Sequence, residues 1–135
     1  TTATVTGLTN GANYKFQVAA VNASGTGQYW PGLNRVIPGT PSAPLGIVIT
    51  VGNAQVSVTW TAPNNNGSAI TNYLCQISSD NGVSWTSSPG YVGSSPKCIV
   101  RNLKKGTNYL FKVVAGNARG LGAWSLPSNF TTPSN

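Results

Sequence analysis

"VRNLKKGTNYLFKVVAGNARGLG", residues 100–122, lies without a gap over "VTGLTNGANYKFQVAAVNASGTG", residues 5–27, at an offset of 95. Val5/Val100, Leu8/Leu103, Gly11/Gly106, Tyr14/Tyr109, Phe16/Phe111, Val18/Val113, Asn22/Asn117, Gly25/Gly120 and Gly27/Gly122 are identical pairs. A period of that length is a domain rather than a solenoid turn. The 135-residue chain therefore reads as one whole unit, residues 41–135, preceded by the back half of another, residues 1–40. "PGTPSAP", residues 38–44, is the junction, where Pro38, Pro41 and Pro44 favour an extended, stiff connection.

Within the whole unit, period-two alternation bounded by Gly, Pro and Asn marks the strands. Ile47–Val51 is the first and Ala54–Thr61 the second, with Val56, Val58 and Trp60 on one face. "APNNNGSA", residues 62–69, is a turn-rich loop. Ile70–Ser78 is the third strand, with Tyr73, Cys75 and Ile77 on one face, and "SDNG" turns it into a short fourth containing Trp85. Lys97–Leu103 is the fifth, Asn108–Asn117 the sixth with Tyr109, Phe111, Val113 and Ala115 inward, and Ser128–Thr132 closes the unit after the glycine-rich "ARGLGA" bend. Seven strands with one apolar face each predict a two-sheet antiparallel sandwich.

Composition agrees. Only 7% of residues are charged, and Gly, Ser, Thr and Asn dominate, which favours short strands and many turns over helices. No run of 18 apolar residues suggests a membrane span, and no signal segment opens the chain. Eight Lys and Arg against one acid give +7, but only Lys97, Arg101, Lys104, Lys105, Lys112 and Arg119 gather in the last third. The excess reads as a solvated basic surface, not a nucleic-acid site. Cys75 and Cys98 have no His and no third Cys nearby, so zinc spacing is absent, while a disulfide and a buried pair of thiols both stay open.

"VSVTWTAP", "ITNYLC", the L-x-x-G-x-x-Y of Leu103, Gly106 and Tyr109, and the Y-x-F-x-V-x-A-x-N-x-x-G run from Tyr109 to Gly120 resemble a fibronectin type III domain. The density of Asn, Gly, Thr and Ser is similar to bacterial or phage versions of the module. The resemblance implies an all-β, seven-stranded, immunoglobulin-like sandwich in tandem, with residues 1–40 supplying strands E, F and G of the first module. It makes Trp60 the core tryptophan of strand B. Tyr109, with Tyr14 as its repeat counterpart, becomes the residue whose hydroxyl bonds back to the chain just upstream. It also places Cys75 on strand C and Cys98 on strand E, in opposite sheets, which makes a bridge across the core conceivable; Ala3 stands at the position of Cys98 in the first repeat.

"SSDNGVSW", residues 78–85, matches the S-x-D-x-G-x-x-W hairpin of sialidase blades and contains Asp80, the single acidic residue. Glycoside hydrolysis generally needs two carboxylates, and a Ser or Cys nucleophile lacks a His or Glu base here. The chain reads as no enzyme. Asp80 is expected to cap the turn, with Gly82 at positive φ and Trp85 packed over the hairpin. "NARGLGA" carries Leu121 where an Arg-Gly-Asp loop needs an acid, so integrin binding by that route is not expected. Asn22, Asn66 and Asn129 sit in glycosylation sequons. Tyr29, Trp30, Tyr91 and Trp124 either stack on sugar rings or close sheet edges and pack between adjacent modules.

The expected function is a non-catalytic structural or adhesive spacer of a larger extracellular, cell-surface or virion-surface protein. The alternative is a spacer module of a secreted polysaccharide hydrolase, and a third reading is a polyanion binder using the basic strands E and F. Neighbouring modules of the same polypeptide or assembly are the expected partners. A cell-surface glycan or another structural protein is a further candidate, with Lys104, Lys105, Arg119 and Trp124 as surface contacts; no cofactor is expected. The front half-unit lacks roughly the first four strands of a module, which are expected upstream in the same polypeptide, with a partner chain as the alternative.

Overall fold

Residues Gln55–Thr61 alternate strictly, and Val56, Val58 and Trp60 are buried while the residues between them are exposed. The computed structural model describes residues 2–29 and 34–134, so Trp30 lies outside the described residues. In chain order the strands are β1 (Asn13–Lys15), β2 (Val21–Asn22), β3 (Gly25–Thr26), β4 (Asn34–Val36), β5 (Leu45–Gly52) and β6 (Gln55–Thr61). They continue with β7 (Ile70–Ser78), β8 (Thr86–Val92), β9 (Lys97–Val100), β10 (Asn108–Asn117), β11 (Gly120–Trp124) and β12 (Ser128–Thr131). One sheet has the order β5-β6-β9 and the other β11-β10-β7-β8, with β12 also on β10; every pairing is antiparallel.

The two inner faces meet over Val56, Val58, Trp60, Tyr73, Cys75, Cys98, Val100, Phe111, Val113 and Phe130. Each large apolar side chain so buried contributes about 1.5–3 kcal/mol. Trp60 meets Tyr73 edge-on at 5.1 Å and lies 6.2 Å from Phe111, while Tyr109 stacks on Phe130 at 5.5 Å.

Three details depart from the alternation. "ARGLGA" is not a bend before the last strand but the turn and start of that strand, since β11 pairs with β10 through Asn117↔Gly120 and Gly116↔Leu121. The closing strand is one path in two pieces. Pro127 has no N–H to donate, and at the break Ser125 substitutes by accepting from the Val113 amide through Oγ (3.0 Å) while its own amide donates to the Val113 carbonyl (2.8 Å). Trp85 precedes β8 instead of lying in it. β9 ends at Val100, yet Leu103 stays buried because its amide donates to the Ala54 carbonyl at 2.9 Å.

The front segment repeats the rear unit's registers. β1 pairs β4 as Asn13↔Val36 and Tyr14↔Arg35, the counterparts of Asn108↔Thr131 and Tyr109↔Phe130. β2 pairs β3 as Val21↔Thr26 and Asn22↔Gly25, the counterparts of Gly116↔Leu121 and Asn117↔Gly120. No strand forms over residues 2–8, where the repeat places the fifth strand. β9 is held by β6 beside it, whereas among the described residues no strand pairs with residues 2–8. The front segment's inward residues are uncovered accordingly, with Val18 67% exposed where Val113 is fully buried.

Candidate functional site

Local chemistry fixes each turn. The Tyr109 hydroxyl accepts from the Lys104 amide at 3.0 Å, and the Tyr14 hydroxyl accepts from the Thr9 amide at 2.9 Å, which holds the Tyr14 phenol below its ordinary pKa. Gly106, at φ +61, lets the chain turn ahead of Tyr109. At the other hairpin, Ser78 Oγ donates to Asp80 Oδ1 (2.7 Å) and accepts from the Gly82 amide (2.8 Å), while Asp80 accepts from both the amide and the hydroxyl of Ser84. The Ser84 hydroxyl and amide, then the Ser78 hydroxyl, hold the Asp80 carboxyl at about 2. Gly82 has φ +89, and a Cβ there would sit 3.8 Å from the Trp85 ring. All of Asp80's bonds are turn bonds. Among the described residues no three His, Cys, Asp or Glu come together.

The core contains three polar surprises. Trp60 Nε1 and the Tyr73 hydroxyl are buried without a hydrogen-bond partner among the described residues, and burial pushes the Tyr73 hydroxyl up. Cys75 and Cys98 are both buried and stand as free thiols in this structure. The hydrogen bond with Cys98, then burial, push the Cys75 thiol far above its ordinary value.

The outer face of the β8-β7-β10-β11 sheet is more apolar than alternation suggests. Leu74 and Val114 point away from the sandwich core yet are buried, because their cross-strand neighbours Tyr91 and Trp124 share that face. Lys112 Nζ lies 4.2 Å from the Trp85 ring and 4.4 Å from the Trp124 ring, a cation held between two indoles. The four surface candidates do not form one patch. Lys104 and Lys105 precede β10 and Arg119 follows it, so a ten-residue strand of roughly 33 Å separates them.

The residues that are brought together are at the junction, which sequence reading described only as a stiff connection. The Gly39 amide donates to the Asn66 carbonyl and the Ser42 amide to the Asn64 carbonyl, both at 2.9 Å. Asn66 Nδ2 donates to the Thr40 carbonyl at 2.9 Å. Asn117, at the end of β10, donates through Nδ2 to the carbonyls of Gly39 (2.8 Å), Asn65 (3.1 Å) and Ser68 (3.1 Å). Gly122 is glycine for close approach, since a Cβ there would collide with the Pro41 carbonyl. The loop keeps its own shape through Asn64 Oδ1, which accepts from the Asn66 amide, and Asn65 Oδ1, which accepts from the Gly67 amide. Asn64 and Asn66 thus serve both the loop and the incoming chain, while Asn65 serves the loop and accepts from Asn117. Gly11 of the front segment lies against Asn66, where a Cβ would come within 2.7 Å of Oδ1.

Two antiparallel sheets of this order, closed by a tyrosine corner, define an immunoglobulin-like β-sandwich module. A model of the fibronectin type III domain matches residues 42–131, and the chain belongs to that family. Protein sax-3 of Caenorhabditis elegans is 34% identical over 99 residues, 72% of this chain and 8% of that protein. Cell adhesion molecule DSCAM of Rattus norvegicus is 30% identical over 123 residues, 82% of this chain and 6% of its own length. Myomesin-2 of Homo sapiens is 29% identical over 137 residues, 96% of this chain and 9% of its own. The chain thus spans less than a tenth of each of these relatives. Among solved structures, chicken CNTN1 FN1-FN3 domains superpose with a TM-score of 0.64 at 28% identity, over 70% of this chain and 34% of that one. Titin kinase and its flanking domains give 0.62 at 32% identity, over 69% and 17%.

Proposed function

We propose that this chain is a non-catalytic spacer and display segment, in which the complete module of residues 41–135 follows the C-terminal half of another, residues 1–40, at a fixed angle. The single observation that carries this is the junction. A connection meant only to tether would leave Gly39–Ser42 solvated, whereas here its backbone groups are bonded to Asn64, Asn66 and Asn117. Each bond removes freedom from the hinge. Likeness to Cell adhesion molecule DSCAM and to Myomesin-2 supports an adhesive or structural role, and the former supports a cell-surface setting.

Backbone ¹⁵N relaxation tests the reading. Residues 39–44 are expected to match the β6 and β10 amides in order, and an Asn66→Ala/Asn117→Ala double variant to lose that match. Fast local motion at residues 39–44 in the unaltered chain would sink the fixed-angle proposal.

A further inference from the structure

In the rear unit, Asn117 and Gly122 have evident tasks: the first holds the Gly39 carbonyl at 2.8 Å and the second makes room for the Pro41 carbonyl. The front segment repeats the local parts of that arrangement. The Ser24 amide donates to Asn22 Oδ1 at 2.9 Å as the Arg119 amide donates to Asn117 Oδ1 at 2.8 Å. Gly25 has φ 125 and Gly120 has φ 124, in hairpins of identical register. Yet a Cβ on Gly27, the counterpart of Gly122, would find among the described residues only the Ala20 carbonyl, at 3.4 Å. Gly27 does not have positive φ either, so nothing in its own hairpin requires a glycine. Asn22 Nδ2 makes no hydrogen bond among the described residues. An open hollow of about 310 Å³ lies here, lined by Ala20, Asn22, Ser24, Gly25 and Gly27 among others.

We propose that Asn22 and Gly27 form a docking site for an extended, proline-flanked backbone segment of the Pro38–Ser42 kind, the segment that leads into a sandwich unit. One of its carbonyls accepts from Asn22 Nδ2, and another passes over the Gly27 Cα. Recognition is of backbone shape: prolines hold the segment extended and remove amides that would otherwise need partners. The inference rests on the reading of residues 1–40 as part of a second module.

The test places residues 38–95 of this sequence directly ahead of Thr1, which gives the front unit a linker and the strands that the repeat assigns to it. The Asn22 side-chain amide is expected to shift and to exchange with water about tenfold more slowly than in the 135-residue chain, as a tertiary hydrogen bond requires. Gly27→Ala should reverse both changes. If Val18 becomes protected while the Asn22 amide stays as it was, the docking site is wrong and the tandem reading stands. If the front unit fails to order, the tandem reading falls and the site is judged on the 135-residue chain with a peptide of residues 37–43 at millimolar concentration. Shifts confined to Asn22, Gly25 and Gly27 that Asn22→Ala removes would uphold it, and their absence would overturn it.

Discussion

Asn117 and Gly39, 78 residues apart in the chain, are joined by a 2.8 Å hydrogen bond from a side chain that is 8% exposed to a carbonyl in the junction. Asn117 also serves the Asn65 and Ser68 carbonyls, so its removal leaves three acceptors without this donor.

Asn117→Ala is therefore expected to destabilise the module by about 2 kcal/mol, at the upper end for a single polar side chain. Asn129→Ala, an exposed change on β12, should cost under about 0.5 kcal/mol. Urea denaturation of the two variants checks the contrast; equal midpoints would remove Asn117 from the junction's stability.

Two buried tyrosines should respond differently to loss of their hydroxyls. Tyr109→Phe strips the acceptor from the Lys104 amide and should cost about 1 kcal/mol, whereas Tyr73→Phe removes a buried hydroxyl that has no partner among the described residues and should be neutral or stabilising. Thermal melts of both variants decide it. A large loss at Tyr73 would reveal a bond that the structure does not contain.

Asp80 carries the chain's only acidic side chain, and its folded pKa of about 2 lies below the 3.8 of an unperturbed carboxyl. A depressed folded value means that the hairpin's carboxylate bonds are intact above about pH 4 and lost as pH falls through about 2. Carbon-13 titration of the Asp80 carboxyl should show that midpoint, and Asp80→Asn should abolish the acid-side change at the hairpin. A midpoint near 4 would mean that the Ser78 and Ser84 bonds do not form in solution.

Cys75, raised by its bond with Cys98 and by burial, holds no thiolate at neutral pH. Neither thiol should react with a maleimide in the folded protein, and labelling should follow global unfolding. Intact mass before and after reduction is the companion measurement: a gain of two hydrogens on reduction would show that the oxidised protein does form the bridge.

Alternation made the core legible because Val56, Val58, Trp60, Tyr73, Phe111 and Val113 each fall on one face of a period-two strand. It failed at Leu74 and Val114, which lie on the opposite face and are buried by Tyr91 and Trp124 across neighbouring strands, a relation set by register and not by local pattern. "NNNGS" was legible as a turn. That its carbonyls and one amide hold the linker was not, since those partners lie 22 or more residues away in the chain. The repeat offered the missed signal: Gly27/Gly122 is an identical pair beyond what the hairpin alone needs.

The Gly39 carbonyl under Asn117 also bears on where this module begins as a piece of material. The family match opens at residue 42, but an excision there would discard Gly39, Thr40 and Pro41, the groups that Asn117, Asn66 and Gly122 are shaped around. Protein engineers cutting a portable unit from this chain should start no later than Pro38.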